Sequence, residues 1–465
     1  MSLTPIADFV RDYAASDTAR LHMPGHKGRG PLGCEGLDIT EIAGADELYE
    51  AEGIIAQSEA NTAKLFGSAG SWYGTEGSSQ CIRAMVFLAL QGAPRGQGRP
   101  VLLAARNAHK ALLYAAALLD IDVEWLWPPA GPDASLCACP VSPAALSAAL
   151  DNLDRAGRRP FGVYLTSPDY LGGIQDISAL APVCHDRGIP LLVDNAHGAY
   201  LRFLPGGSRH PLDLGADLCC DSAHKTLPVL TGGACLHARR GGLLQPGPAA
   251  VRGAMCLFGS TSPSYLILQS LDLCAGALAG DWPARLADCI ARLDAMKERL
   301  SALCPGFVRP CEPLKLVLDG AAAGRSGSAL ADLFRAHRVE CEYADTRYLV
   351  LMFSPDNLPR DFARVEEAAR EAIAHPGREQ DPGVLPDGLW TDLARQAKPA
   401  CTIRQAVFAP QERVPAREAV GRVCALPTVA CPPAIPIAVS GEVIGPAAAA
   451  LLEAYGVKTV SVLLF

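Results

Sequence analysis

From about residue 61 to residue 237 the chain repeats one theme, a short run of uninterrupted apolar residues followed by a stretch with helical spacing. The runs are Val101–Ala105, Val123–Trp127, Phe161–Thr166, Leu191–Asp194, Asp217–Asp221 and Gly233–His237. Ser58–Phe66 has helical character, and Ile82, Met85, Val86 and Ala89 fall at i, i+3, i+4 and i+7. Ala111–Leu119, a segment opened by Ser142 and Pro143, and Ile177–His185 read as further helices. A strand that is apolar at every position must be covered on both faces, and the alternating helices supply that cover. The prediction is an α/β protein with a mainly parallel sheet, whose ligands bind beyond the carboxyl ends of the strands. Ser78, His109, Asp169, Asp194 and Lys225 all fall at that edge.

At 465 residues the chain exceeds what one core holds, since single cores stop growing at roughly 250–300 residues. A second, smaller α/β unit is expected over 285–375, from helix Ala284–Leu303, strand Leu314–Leu318, helix Ser328–His337, strand Tyr348–Phe353 and helix Arg360–Ala374. A Pro- and Gly-rich linker, Pro376–Pro386, then leads to a last domain over 376–465. Residues 1–60 read as an arm that packs on something else, such as a second subunit. It opens with an amphipathic helix (Ile6, Phe9, Val10, Tyr13) and continues through broken, polar sequence. The large domain would then be 61–284.

A net charge of −8 leaves no electrostatic footprint for nucleic acid. Asp8, Arg11 and Asp12 stand where a signal peptide needs an apolar core, and the longest apolar run, Ala111–Leu119, is far short of the ~20 residues that span a bilayer. A soluble, cytoplasmic protein without a membrane partner is expected. The seventeen cysteines are scattered, include no Cys-x-x-Cys pair and show no zinc spacing, so the expectation is reduced, buried thiols and no metal.

The chemistry centres on Asp221-Ser222-Ala223-His224-Lys225-Thr226, a lysine between an apolar run and a glycine-bearing turn. Thirty-one residues before Lys225, Asp194 ends another run and opens Asp194-Asn195-Ala196-His197-Gly198. This pairing suits pyridoxal 5'-phosphate (PLP): a lysine to hold the aldehyde as an imine, and a carboxylate to keep the ring nitrogen protonated. Ala196 is small enough for a flat ring to lie against the backbone, and His197 belongs to the same motif. Gly77-Ser78-Ser79-Gln80 opens a helix whose N-terminus and hydroxyls suit a phosphate, and Ser222 adds another hydroxyl. His109 is placed to stack on the cofactor. Each residue alone also has an ordinary reading: an exposed lysine, a capping aspartate, a capping serine, a structural histidine.

Taken together, several runs resemble the ornithine/lysine/arginine decarboxylase family of fold-type-I PLP enzymes. They are His-Met-Pro-Gly-His-Lys-Gly (22–28), Asp-Ile-Thr-Glu (38–41), Arg-Asn-Ala-His-Lys (106–110), Thr-Ser-Pro-Asp-Tyr (166–170), Asp-Asn-Ala-His-Gly (194–198), Ser-Ala-His-Lys-Thr-Leu (222–227) and Ser-Thr-Ser-Pro-Ser-Tyr (260–265). Arg-Glu-Ala-Val-Gly-Arg (417–422) and Pro-Pro-Ala-Ile-Pro (432–436) resemble that family's C-terminal domain. The resemblance implies Lys225 as the imine lysine, Asp194 as the ring-nitrogen partner and His109 as the stacking base. It implies Ser78, Ser79 and Ser222 at the phosphate. Ser260, Thr261 and Ser262 would reach the phosphate of a neighbouring subunit in an obligate homodimer or higher oligomer.

The implied reaction is decarboxylation of arginine, lysine or ornithine to a polyamine-pathway amine, with His224 or Lys225 returning the proton. Glu47, Glu342, Asp345 and Glu442 are candidates for the substrate's cationic end. The alternative is another fold-type-I reaction, an amino transfer or aldol cleavage, for which Arg347 could grip a carboxylate. A non-enzymatic PLP-binding scaffold is a further, weaker alternative. The chain departs from the family in having Asn195 where Glu is usual and Ala434 where Gly is usual.

Overall fold

The computed structural model describes residues 2–94, 98–129, 131, 134–377, 385, 388–427 and 433–464. Two compact units emerge, one built from residues 1–97, 159–167 and 176–285, the other from 98–158, 168–175 and 286–465. Seven strands form where apolar runs or their near neighbours lie: β1 Gly70–Gly74, β2 Val101–Ala105, β3 Asp122–Leu126, β4 Pro160–Thr166, β5 Leu191–Asp194, β6 Leu218–Asp221 and β7 Ala234–Ala238.

In the first unit the order is β1-β7-β6-β5-β4. Strands β4, β5 and β6 are parallel, with Thr166 level with Asp194 and Asp194 level with Cys220. Strand β7 returns antiparallel to β6 and pairs antiparallel with β1. The reason is the link from β6 to β7, which holds only the one-turn helix Ala223–Thr226 and is too short to cross a sheet face. Strand β1 escapes the sequence pattern because Ser71 and Gly74 interrupt what would otherwise be an apolar run.

Helices α1 Pro5–Ala15, α2 Ile54–Phe66 and α3 Ser78–Gly92 belong to the first unit and α4 Lys110–Leu119 to the second. Helix α1 buries Ile6 and Val10, the face its periodicity predicts. It packs on α2 and on helix Tyr265–Ala279 of its own unit, so the buried face of α1 is covered by its own chain. Asp272 fixes it there, taking the Ala7 amide on Oδ2 (2.9 Å) and the Ser58 hydroxyl on Oδ1 (2.5 Å).

In the second unit β2 and β3 are parallel. A separate antiparallel sheet comprises β8 Val308–Arg309, β9 Lys315–Asp319, β10 Tyr343–Ala344 and β11 Tyr348–Met352, in the order β10-β11-β9-β8. The expected helices of this region are present as Gly327–Ala336 and Pro359–Ala374. Strands β12 Gln411–Pro415 and β13 Thr459–Leu463 pair antiparallel near the C-terminus. They bury Val460 and Val462 in a cluster with Val317, Val350, Ile437, Ile444 and Leu451. Most of the expected linker Pro376–Pro386, and Cys431 and Pro432 of the proline cluster, lie outside the described residues. Among the described residues no helix is long and apolar enough to cross a membrane.

Candidate active site

Two strand ends deliver the central groups. Asp194 is the last residue of β5, Asp221 the last of β6, and Lys225 sits one helical turn beyond it. Lys225 Nζ stands 3.1 Å from His197 Nε2, so the two strand-tip motifs meet. Asp194 is buried and accepts the Tyr164 hydroxyl on Oδ2 (2.9 Å) and the Ala196 amide on Oδ1 (3.2 Å). Burial pushes its carboxyl above the ordinary aspartate value, while Tyr164, the charge of Lys225, the Ala196 amide and Cys220 pull the other way. A buried carboxylate of this kind calls for a cation against it.

The hydroxyl cluster also assembles. Ser78 is the first residue of α3, and Ser222 donates to its Oγ at 2.7 Å. Gly77 caps α3 with φ +70°, and a side chain there would meet open space, so the turn presents its backbone to an unobstructed volume. Amide groups of a helix's first turn and two hydroxyls make a phosphate cradle. Ser79, half-buried, lies in the same turn. Gln80 follows in that turn, with its side chain buried inside the unit, its amide donating to the Tyr49 hydroxyl and the Met255 carbonyl, both at 2.9 Å.

His224 holds the Gly233 carbonyl with Nδ1 at 3.0 Å. Burial lowers its pKa; the Gly233 carbonyl opposes this and the charge of Lys225 adds to it. A neutral imidazole whose Nδ1–H is committed to a carbonyl leaves Nε2 as an acceptor. Thr261 and Ser262 lie exposed in the loop before helix Tyr265–Ala279, where the Ser260 amide donates to Glu76 and the Ser262 amide to Ser260 Oγ. His109 belongs to the second unit, where its Nδ1 accepts the Ala111 amide at 3.1 Å and so caps α4. That bond leaves the ring proton on Nε2.

Four carboxylates were candidates for a cationic substrate end, and three are engaged within the second unit. Glu442 is buried against Arg106 (3.4 Å) and accepts the Val439 amide. Arg106 itself lies over the rings of Trp125 and Trp127. Asp345 accepts the amides of Arg347 and Tyr348 and the Tyr343 hydroxyl. Glu342 takes the Tyr170 hydroxyl. Glu47 accepts the amide of Tyr49, two residues on. Arg347, the candidate carboxylate grip, is paired with Asp319 at 2.8 Å.

Both departures from the family pattern acquire a physical setting. Asn195 donates from Nδ2 to Asp221 Oδ1 at 2.6 Å, linking the two strand-tip turns directly. Ala434 adopts φ +58°, a left-handed conformation in which glycine carries no Cβ penalty, and its carbonyl accepts the Lys110 amide beside His109. Tyr164 was not foreseen. Its signal was a polar tip within an apolar run, which spacing alone does not single out.

Lysine, carboxylate and hydroxyl-lined helix start gathered at the carboxyl ends of mainly parallel strands define a fold-type-I PLP-dependent enzyme. Known structures of that fold agree, and lysine decarboxylases stand among them. The Francisella novicida enzyme superposes with a TM-score of 0.77 at 16% identity, covering 99% of this chain and 81% of that one. The constitutive E. coli enzyme gives 0.75 at 18%, covering 99% and 82%. Residues 4–318 match the family described as Orn/Lys/Arg decarboxylase, major domain, and the chain belongs to that family. An arginine decarboxylase of Bacillus subtilis is 26% identical over 95% of this chain and 91% of its own length. An arginine decarboxylase of Halalkalibacterium halodurans is also 26% identical, over 95% and 91%. The protein is a PLP-dependent amino-acid decarboxylase.

Proposed function

We propose that the chain removes CO2 from the α-carboxylate of a basic amino acid, arginine, lysine or ornithine, and releases the corresponding polyamine-pathway amine. The observation that carries this reading is the meeting of Lys225 with His197 at 3.1 Å, with the buried Asp194 on the neighbouring strand tip. When bound, PLP supplies an aldehyde for an amine and a cationic ring that accepts the electrons left by departing CO2.

Lys225 Nζ provides that amine. Asp194, steadied by Tyr164 and Ala196, provides the anion for the ring nitrogen. Ser78, Ser79 and Ser222, with the start of α3, hold the phosphate, and His109 covers the ring. Gln80 braces the same turn from inside. Because burial favours the neutral form of His224 and its Nδ1–H is committed to the Gly233 carbonyl, Lys225 is the better placed donor of the proton that returns to the α-carbon. Positioning and fixed charge carry the acceleration.

We further propose a cytoplasmic homodimer or higher homo-oligomer in which Ser260, Thr261 and Ser262 complete the partner's phosphate site. The division into an arm (1–60), a PLP domain (61–284), a small α/β domain (285–375) and a C-terminal domain (376–465) is likewise our proposal. The test of function is a panel of arginine, lysine and ornithine with CO2 counted and the product amine weighed. One of the three should yield CO2 and amine in equal amounts. Keto acid in place of CO2 would overturn the reading in favour of amino transfer, which the engagement of Arg347 by Asp319 does not support.

A further inference from the structure

Below the Lys225 turn, one face of the sheet gathers metal-ligating side chains that the decarboxylation does not use. Cys219 and Asp221 alternate onto the same face of β6, and Cys219 is level with His237 of β7. His210, just ahead of the one-turn helix Pro211–Leu214, brings its ring to the same carboxylate. Phe66 of α2 stacks on His237 (4.5 Å between centroids) and meets His210 edge-on (5.4 Å). All four polar side chains are completely buried.

The spacing of His210, Cys219 and Asp221 approaches that of a coordination shell, and His237 reaches it through Asp221. Asp221 Oδ2 lies 3.1 Å from His210 Nε2 and 3.3 Å from His237 Nε2. Cys219 Sγ lies 3.8 Å from His210 Nε2, and the ligating atoms of His210, Cys219 and Asp221 are all within 4.8 Å of one another. Tetrahedral zinc, with bonds of about 2.0–2.1 Å to nitrogen and oxygen and about 2.3 Å to sulfur, has edges of about 3.3 Å (N to O) and about 3.6 Å (N to S).

A second observation points the same way. His237 Nε2 is buried without a hydrogen-bond partner, although it faces the Asp221 carboxylate. Its ring is held from behind, Nδ1 lying 2.7 Å from Ser71 Oγ, which in turn bonds Ser68. The far oxygen of Asp221 is likewise occupied by Asn195. His237 and Asp221 are thus oriented by outer hydrogen bonds, as the ligands of a metal site usually are, and the bond between His210 Nε2 and Asp221 Oδ2 (3.1 Å) is one that a cation would replace.

We infer that His210, Cys219 and Asp221, with the His237 ring turning in beside Asp221 as the fourth ligand, form a closed structural site for one zinc ion, which ties β6 and β7 together beneath the lysine turn. Charge balances: a thiolate and a carboxylate neutralise a divalent ion, and the two imidazoles bind uncharged. On binding, Cys219 gives its thiol proton to solvent, and the proton that His210 Nε2 shares with Asp221 is transferred to Nδ1, freeing Nε2 to ligate. The site has no open position, so its part is to hold the strands in register.

The test uses untagged, PLP-loaded full-length enzyme incubated with zinc and freed of excess. Elemental analysis should find about one zinc per chain. X-ray absorption should show one sulfur at about 2.3 Å and three nitrogen or oxygen neighbours at about 2.0 Å. Cys219→Ser and His237→Gln should each retain at least ten-fold less zinc and melt at lower temperature. Wild-type enzyme with under a tenth of an equivalent would overturn the site. So would zinc without a sulfur neighbour, or undiminished zinc in Cys219→Ser. Should the variants not fold, the wild-type absorption spectrum decides alone. None of these readouts depends on which amino acid is decarboxylated.

Discussion

The Tyr164 hydroxyl and the Ala196 amide hold the Asp194 carboxylate from either oxygen, and Lys225 supplies the nearby charge. Lys225→Ala should abolish the absorbance near ~420 nm expected of the lysine-bound cofactor, and lower CO2 release by ~1,000-fold or more. Persistence of the band would identify another lysine as the anchor. Tyr164→Phe removes one hydrogen bond to a buried charge, a loss of about 1–3 kcal/mol, so PLP affinity should fall roughly ten-fold by titration of the cofactor-free protein. Unchanged affinity would mean that Tyr164 only fills space. Lys225 and Asp194 were legible because each follows an apolar run in a motif with its own spacing. Tyr164 was not, because a run such as Phe161–Thr166 does not reveal which member carries a polar tip toward a neighbouring strand. For the same reason Glu442 and Asp345 looked like free acids, although one turns inward to Arg106 and the other caps its own turn.

Among the elements, Ala434 and Asp272 mark places where local geometry carries a measurable cost. A left-handed alanine costs about 1–2 kcal/mol, of which the looser unfolded chain of glycine takes back about 0.5–1 kcal/mol. Ala434→Gly should therefore stabilise the protein by up to about 1 kcal/mol, read from the urea midpoint; a clear loss would show that the buried methyl matters more. Asp272, buried between α1 and α2, has its pKa pushed up to about 6 by burial, the bonds from Ser58 and Ala7 opposing the rise. Its folded value lies above its unfolded one, so its contribution is complete below about pH 4 and is lost as pH rises through about 6. Asp272→Asn should flatten the pH dependence of the melting temperature in that window; an unaltered slope would exclude Asp272 as its source. The parallel strands and their helices could be read from the chain because both faces of each strand are apolar. The hairpin of β12 and β13 could not, since Gln411, Glu412 and Arg413 show no apolar run and their partner lies more than forty residues away.

On the scale of the whole molecule, Leu21, Met23 and Leu32 stand out as large apolar residues at 93%, 69% and 82% exposure, all beyond α1 in the opening segment. They suit the proposed homo-oligomer, which would cover them. Leu21→Glu combined with Leu32→Glu should shift the enzyme toward monomer in light scattering and lower activity in parallel. An unchanged mass would remove this segment from the interface.

The two units are each stitched from three separate stretches of chain, and this has a bearing on how the protein is made. While the ribosome is still short of residue 285, the first unit lacks its last segment, and residues 98–158 already wait for a unit whose remainder has not been synthesised. No single cut releases one whole unit free of pieces of the other. A gene fragment ending at 285 would release one unit together with an orphaned piece of the other, a poor candidate for soluble expression.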